Sequence, residues 1–289
     1  MVRVKHIALP LALSLLALLP AGSRAGPSVA DLPDNSETTL YAQSAAEALQ
    51  RSFPSRDISF LLLDVHTGRV LASRWEHAER PIPMGSLVKP FTALAYGEQH
   101  DFQYPVHTCR GTVTGCWLPH GHGDVNLTAA IAYSCNSYFR MLTEGLTAAD
   151  VSPTATRFGL EPPRRDAAGA QLAGLGPHWR ISPVHMARAY LELVRQRQHP
   201  GVSQILDGMA QSAEHGTGGE VHRAVPFPGV LVKTGTAACT HSRRSSGDGF
   251  VVALMPADNP QILLMVRVHG VPGARAAKTA GQMLRRIED

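Results

Sequence analysis

Lysine is the scarcest charged residue in this chain: Lys5, Lys89, Lys233 and Lys278 stand against 23 arginines. Net charge is scarce too. Of the formal +4, the first 25 residues contribute +3 through Arg3, Lys5 and Arg24 with no acid among them, which leaves +1 for the rest. A near-neutral body without a Lys/Arg cluster argues against a nucleic-acid partner. Four cysteines are too few to staple 289 residues as a disulfide scaffold. Beyond the N-terminus, no apolar run is long enough to span a bilayer. What is present is a globular composition, 44% hydrophobic and 17% charged, enough to bury the core of one large domain or two small ones.

Residues 1–25 read as a secretory signal peptide. Arg3 and Lys5 form the positive start, Ile7 to Leu19 the apolar stretch, and Ser23-Arg24-Ala25 a small-residue cleavage pattern. The apolar stretch is short for a spanning helix and contains Pro10. Export to the periplasm or cell envelope is therefore expected. Residues 26–56 form a polar segment with a short helix over 39–51, and residues 57–289 form the main domain. The segment 26–56 leaves no room for a further domain, so a bare catalytic unit is expected.

Within the main domain, Ile58 to Asp64 and Arg69 to Ser73 flank a Thr67-Gly68 turn and read as a β-hairpin. From Ser86 to about Arg197 the pattern is mainly helical. Val230 to Lys233, Phe250 to Met255 and Ile262 to Val268 are strand-like apolar runs, and Ala274 to Ile287 is a closing helix. Strands at both ends with helices between them predict one sheet built from distant pieces, an α+β layout.

The few lysines point to chemistry. An amine can lose its proton when it is desolvated or placed beside another cation, whereas a guanidinium cannot, so sites that need a tunable amine must keep lysine. Lys89 ends Ser86-Leu87-Val88-Lys89, where an i, i+3 spacing puts hydroxyl and amine on one helical face. Ser134-Cys135-Asn136 lies between helical runs, and Lys233-Thr234-Gly235-Thr236 ends a strand. Each pattern is short, and Ser, Asn and Thr serve most often as caps and turn residues. The ordered triple S-x-x-K, S-x-N, K-T-G is much more specific than its parts.

On these motifs the chain resembles the transpeptidase domain of penicillin-binding proteins, which shares its fold with serine β-lactamases. Leu63-Asp64-Val65-His66-Thr67-Gly68-Arg69-Val70-Leu71-Ala72 is similar to that family's opening hairpin. Gly121-His122-Gly123, Tyr138-Phe139, Gly174-Leu175-Gly176, Ser182-Pro183, Met186 to Tyr190 and Gly216-Thr217-Gly218 are similar to its other markers, most closely those of the monofunctional class B enzymes. The resemblance implies an antiparallel sheet covered by helices, with an inserted, mainly helical subdomain. It implies Ser86 as nucleophile, Lys89 as its base, Ser134 and Lys233 in proton relay, and the Ser86 and Thr236 N–H groups as oxyanion donors. Asn136, Thr234, Gly235 and Thr236 would hold the substrate. The implied partners are peptidoglycan stem peptides and β-lactams, with peripheral contact with the cell envelope and no cofactor. D,D-transpeptidase is the leading activity, with D,D-carboxypeptidase, serine β-lactamase and a non-catalytic β-lactam sensor or scaffold as alternatives. A class A β-lactamase would need a deacylating Glu, for which Glu161 is the nearest candidate.

Cys109 and Cys116 flank a Gly-rich turn and are expected to pair as a disulfide in an oxidising compartment. Cys135 reads as a small apolar residue packed inward, with a bridge to Cys239 as the alternative. His120-Gly121-His122 is half of a metal site, but no acidic or cysteine partner stands at a convincing spacing, so no metal is expected.

Overall fold

The computed structural model describes residues 36–226, 229–239 and 247–288. The signal-peptide reading lies outside the described residues. In chain order, α1 (Ser36–Ser52) leads into β1 (Ile58–Asp64), β2 (Val70–Arg74) and the short β3 (Ile82–Pro83). A mainly helical stretch follows, with α2 (Lys89–Gln99), β4 (His107–Cys109), β5 (Gly123–Val125), α3 (Leu127–Ala132), α4 (Asn136–Leu142) and α5 (Ala148–Arg157). Next come β6 (Arg180–Ile181), α6 (Pro183–Arg195), α7 (Val202–Glu214) and α8 (Gly219–Ala224). The chain returns to the sheet through β7 (Leu231–Ala237), β8 (Asp248–Met255) and β9 (Ile262–Val268), then closes with α9 (Gly273–Glu288).

The main sheet is antiparallel with strand order β2-β1-β9-β8-β7. It joins the first hairpin to the last three strands, as the apolar runs at both chain ends predicted. That hairpin turns because Asp64 Oδ1 accepts from both the N–H and the hydroxyl of Thr67 at 2.7 Å.

The continuous apolar runs have a packing cause. Along β8, Phe250, Val252 and Leu254 enter one core, while Val251, Ala253 and Met255 enter the other. The same alternation holds in β1 and β9. Both faces of the sheet are covered, so neither needs polar residues. One face packs on α1, α8 and α9 through Leu49, Val221, Ala280 and Leu284. The other packs on the central helices through Leu87, Phe91, Ile131 and Tyr190. Burying each of the larger aliphatic or phenylalanine side chains among these, such as Leu49, Leu87 or Phe91, contributes about 1.5–3 kcal/mol.

One boundary differs from the sequence reading. The strand-like run read as Val230 to Lys233 extends further: β7 spans Leu231–Ala237, so Lys233-Thr234-Gly235-Thr236 forms its C-terminal part, paired with β8 down to Asp248. The motif is thus held by a full ladder, and β7 is the edge strand of the sheet.

Candidate active site

Ser86 lies in a 3-10 turn, Gly85–Val88, that runs into α2 at Lys89. With three residues per turn, positions i and i+3 eclipse, which stacks Ser86 and Lys89 on one side. Pro90 falls in the first turn of α2, where no N–H partner is needed. Met84 stands at the N-cap and no side chain caps the turn, so the Ser86 hydroxyl has no capping duty. Gly85 has φ +58°, and a Cβ there would lie 2.2 Å from the Thr236 carbonyl oxygen. Only glycine allows both that backbone conformation and that approach. A Cβ on Gly235 would lie 2.7 Å from the Met84 carbonyl oxygen. The serine turn and the edge strand therefore meet backbone to backbone.

Ser134 and Asn136 sit on the tight connection between α3 and α4. Ser134 has φ +50°, a left-handed conformation uncommon outside glycine that the surrounding structure must hold against strain. Lys89 Nζ donates to the Ser134 carbonyl oxygen at 2.8 Å and to Asn136 Oδ1 at 2.7 Å, with Ser134 Oγ at 3.4 Å. Lys233 Nζ donates to Ser134 Oγ at 3.0 Å and to the Thr234 carbonyl oxygen at 2.7 Å. Two amines with 0% exposure thus converge on one hydroxyl.

Burial sets their protonation. Removing an ammonium from water disfavours the charged form. It pulls Lys89 down to about 7, helped by Arg140 and opposed by Cys135 and Cys116. It also holds Lys233 well below the ordinary lysine value, with the Lys89 charge lowering it further.

Ser86, Ser134, Asn136, Thr234, Gly235 and Thr236 line one cavity of about 430 Å³. Six of the eight expected catalytic and substrate residues therefore share a wall, and Lys89 and Lys233 lie directly behind it. Ser86 Oγ and Lys89 Nζ make no hydrogen bond in this state, because the amine is engaged by Ser134 and Asn136.

The penicillin-binding protein transpeptidase domain model matches residues 58–289. The chain belongs to that family. No curated protein sequence matches it. Among solved structures, Pseudomonas aeruginosa PBP2 in complex with WCK 5153 is similar at TM-score 0.70 and 19% identity, over 86% of this chain and 73% of that one. The apo transpeptidase domain of Burkholderia pseudomallei penicillin-binding protein 3 is similar at TM-score 0.66 and 19% identity, over 91% and 96%. Helicobacter pylori PBP2 in its complex with MreC is similar at TM-score 0.68 and 16% identity, over 84% and 62%. At these identities the structures establish the fold. No described helix is long and apolar enough to cross a membrane.

In this transpeptidase domain the cavity also contains residues the sequence reading did not assign. The Thr234 hydroxyl donates to Thr217 Oγ1 at 2.6 Å, and the Thr217 N–H donates to the Ala132 carbonyl oxygen at 3.2 Å. Thr217 thus ties the edge strand to the end of α3. Its Gly216-Thr217-Gly218 context was the available signal. Trp117, half-exposed, Leu175, Pro272 and Ala274 complete the wall. Glu161 is not among the lining residues. Its Oε1 accepts from the Ser182 N–H at 3.2 Å and contacts His185 Nδ1 at 3.0 Å.

Two expectations about the cysteines fail. Cys109 and Cys116 are not joined in a disulfide; both are free and buried, and their sulfurs face His122 Nδ1 at 3.5 and 3.6 Å. The spacing argument that left His122 without partners fails as well. The β4–β5 pairing sets Cys109 opposite Gly123, next to His122, and the α3–α4 connection adds Cys135 from a different element. These four side chains could hold a metal ion.

Proposed function

We propose that the protein is an exported active-site-serine D,D-transpeptidase that acts on peptidoglycan stem peptides and is acylated by penicillins at Ser86. The observation that carries this reading is the pair of fully buried amines, Lys89 and Lys233, meeting at the Ser134 hydroxyl beside a cavity that Ser86 lines. Structural lysines have no reason to be buried with no carboxylate. A general base for serine does, because it must be neutral near the working pH.

A neutral amine has two N–H groups and one lone pair. In Lys89 the two short bonds to the Ser134 carbonyl and Asn136 Oδ1 use the N–H groups. The lone pair then serves as acceptor for the Ser86 proton as Ser86 Oγ attacks the carbonyl carbon of the donor. The Ser86 and Thr236 N–H groups hold the oxyanion, the second from the sheet edge. Ser134, between the two amines, passes the proton to the leaving amine. The departing group is the terminal D-alanine, whose carboxylate binds at Thr234 and Thr236. Asn136 takes the donor's side-chain amide. An amine acceptor then attacks the ester to form a cross-link, and water in its place gives the carboxypeptidase product.

The placement of Glu161 outside the cavity disfavours a class A β-lactamase route, which needs a carboxylate to activate the deacylating water. Incubation with a fluorescent penicillin tests the reading. Stable labelling that disappears in Ser86→Ala is expected, with release of D-alanine from a D-Ala-D-Ala peptide and cross-linked product when an amine is supplied. Labelling that survives Ser86→Ala, or rapid turnover of the drug, contradicts it.

A further inference from the structure

We propose that Cys109, Cys116, Cys135 and His122 form a closed tetrahedral zinc(II) site that anchors the catalytic Ser134–Asn136 connection. The four candidate ligand atoms all lie within 4.8 Å of one another. Cys109 Sγ and Cys116 Sγ stand 3.5 and 3.6 Å from His122 Nδ1, and Cys116 Sγ stands 3.9 Å from Cys135 Sγ. Zn–S bonds of about 2.3 Å and a Zn–N bond of about 2.0 Å, spread at tetrahedral angles, give edges of about 3.8 Å between sulfurs and about 3.5 Å from sulfur to nitrogen. The observed edges match both values. A disulfide would need about 2.05 Å between sulfurs, and three thiols cannot all be satisfied by one.

The surroundings suit thiolates. Cys109 Sγ is hydrogen-bonded to the backbone of Gly111, and Cys116 Sγ to that of Leu118, each two residues further on. The backbone of Ser137 also reaches Cys116, and that of Tyr138 reaches Cys135. Such outer N–H groups spread the charge of metal-bound sulfur. The His122 ring is stacked on Tyr133 at 5.1 Å, and its buried Nε2 has no hydrogen-bond partner among the described residues. Stacking and the two sulfurs therefore fix the ring, with Nδ1 aimed at the centre.

Four protein ligands leave no open position, so the ion would be structural. Its leverage comes from Cys135, which lies between Ser134 and Asn136. Lys89 grips the same connection through the Ser134 carbonyl and Asn136 Oδ1. The ion would act as a second tether that holds the strained Ser134 backbone.

The test is zinc content and ligation in the full chain purified from zinc-replete medium. One zinc per chain is expected by mass spectrometry of the metal, with X-ray absorption showing three sulfurs near ~2.3 Å and one nitrogen near ~2.0 Å. Cys109→Ser and His122→Ala should each lower zinc retention at least tenfold against a competing chelator. In the wild type, the same chelator should lower the thermal midpoint by at least ~5 °C. Less than one-tenth of a zinc per chain, ligation by oxygen and nitrogen alone, or a disulfide between any two of the three cysteines would overturn the proposal. Penicillin acylation measured on the same sample keeps it separate from the enzymatic reading, since either result can fail while the other stands.

Discussion

Two polar clusters meet at the Ser134-Cys135-Asn136 connection. One is made of amines and hydroxyls, Lys89, Lys233 and Ser134, and it opens on a cavity that Ser86 lines. The other is made of three buried thiols and a partly buried imidazole. Among the described residues the amines meet oxygen acceptors but no carboxylate, so their burial is uncompensated by opposite charge and drives them toward neutrality. The thiols carry the opposite potential charge and are ringed by backbone hydrogen bonds. On the proposed function and the proposed zinc site, burial of ionisable groups would serve two ends, a reactive pair that gains and loses protons and a fixed set that does not move.

That contrast ranks variants by their effect on penicillin acylation. The largest belongs to Lys89. Lys89→Met should cut the acylation rate by at least ~10³-fold in a chain still folded by circular dichroism, and Lys89→Arg should not rescue it, because a guanidinium stays protonated. Stopped-flow acylation would sharpen the comparison if both hold, and an active Lys89→Arg would break it. Lys233→Ala comes next, at about 10²–10³-fold, as expected for loss of an electrostatic partner in a dry site.

The third effect is pH. Lys89 must be neutral to accept a proton, so acylation should plateau above pH about 7 and fall about tenfold per unit below it. A rate that rises on acidification would reverse the assigned role. In the thiol cluster the order inverts. Cys109→Ser should lower the thermal midpoint by at least ~5 °C while acylation by the folded fraction drops less than about tenfold. Smallest for acylation is Leu264→Ala, on the sheet face away from the site. It should cost about 2–5 kcal/mol in denaturant unfolding and leave the acylation rate per folded molecule unchanged.

The same contrast explains what could be read from the sequence. β1, β8 and β9 were legible because burial on both faces writes itself as an unbroken apolar run. Ser86, Lys89, Ser134, Asn136 and the Lys233–Thr236 strand were legible because they stand at close, ordered spacings in three short motifs, and the fold brings those motifs to one cavity. The thiol cluster was not, because its donors come from β4, the loop after it, the residue before β5 and the α3–α4 connection, at no regular interval. Cys109 and Cys116 looked like a disulfide pair because their separation along the chain carries no information about a third sulfur. Thr217 was hidden for a similar reason: its role arises from a hydrogen bond to Thr234, seventeen positions away. The 3-10 turn at Ser86 was read as the start of an α-helix, since both geometries tolerate the same i, i+3 pair.

Peptide mapping after exposure to penicillin, at pH 7.5 and pH 6, is the most direct measurement. One drug adduct per chain is expected, on the peptide that contains Ser86, forming about tenfold more slowly at a pH one unit below the Lys89 midpoint than on the plateau. An adduct on any other residue, or an adduct on Ser86 that forms equally fast at both pH values, would contradict a serine switched on by a buried neutral lysine.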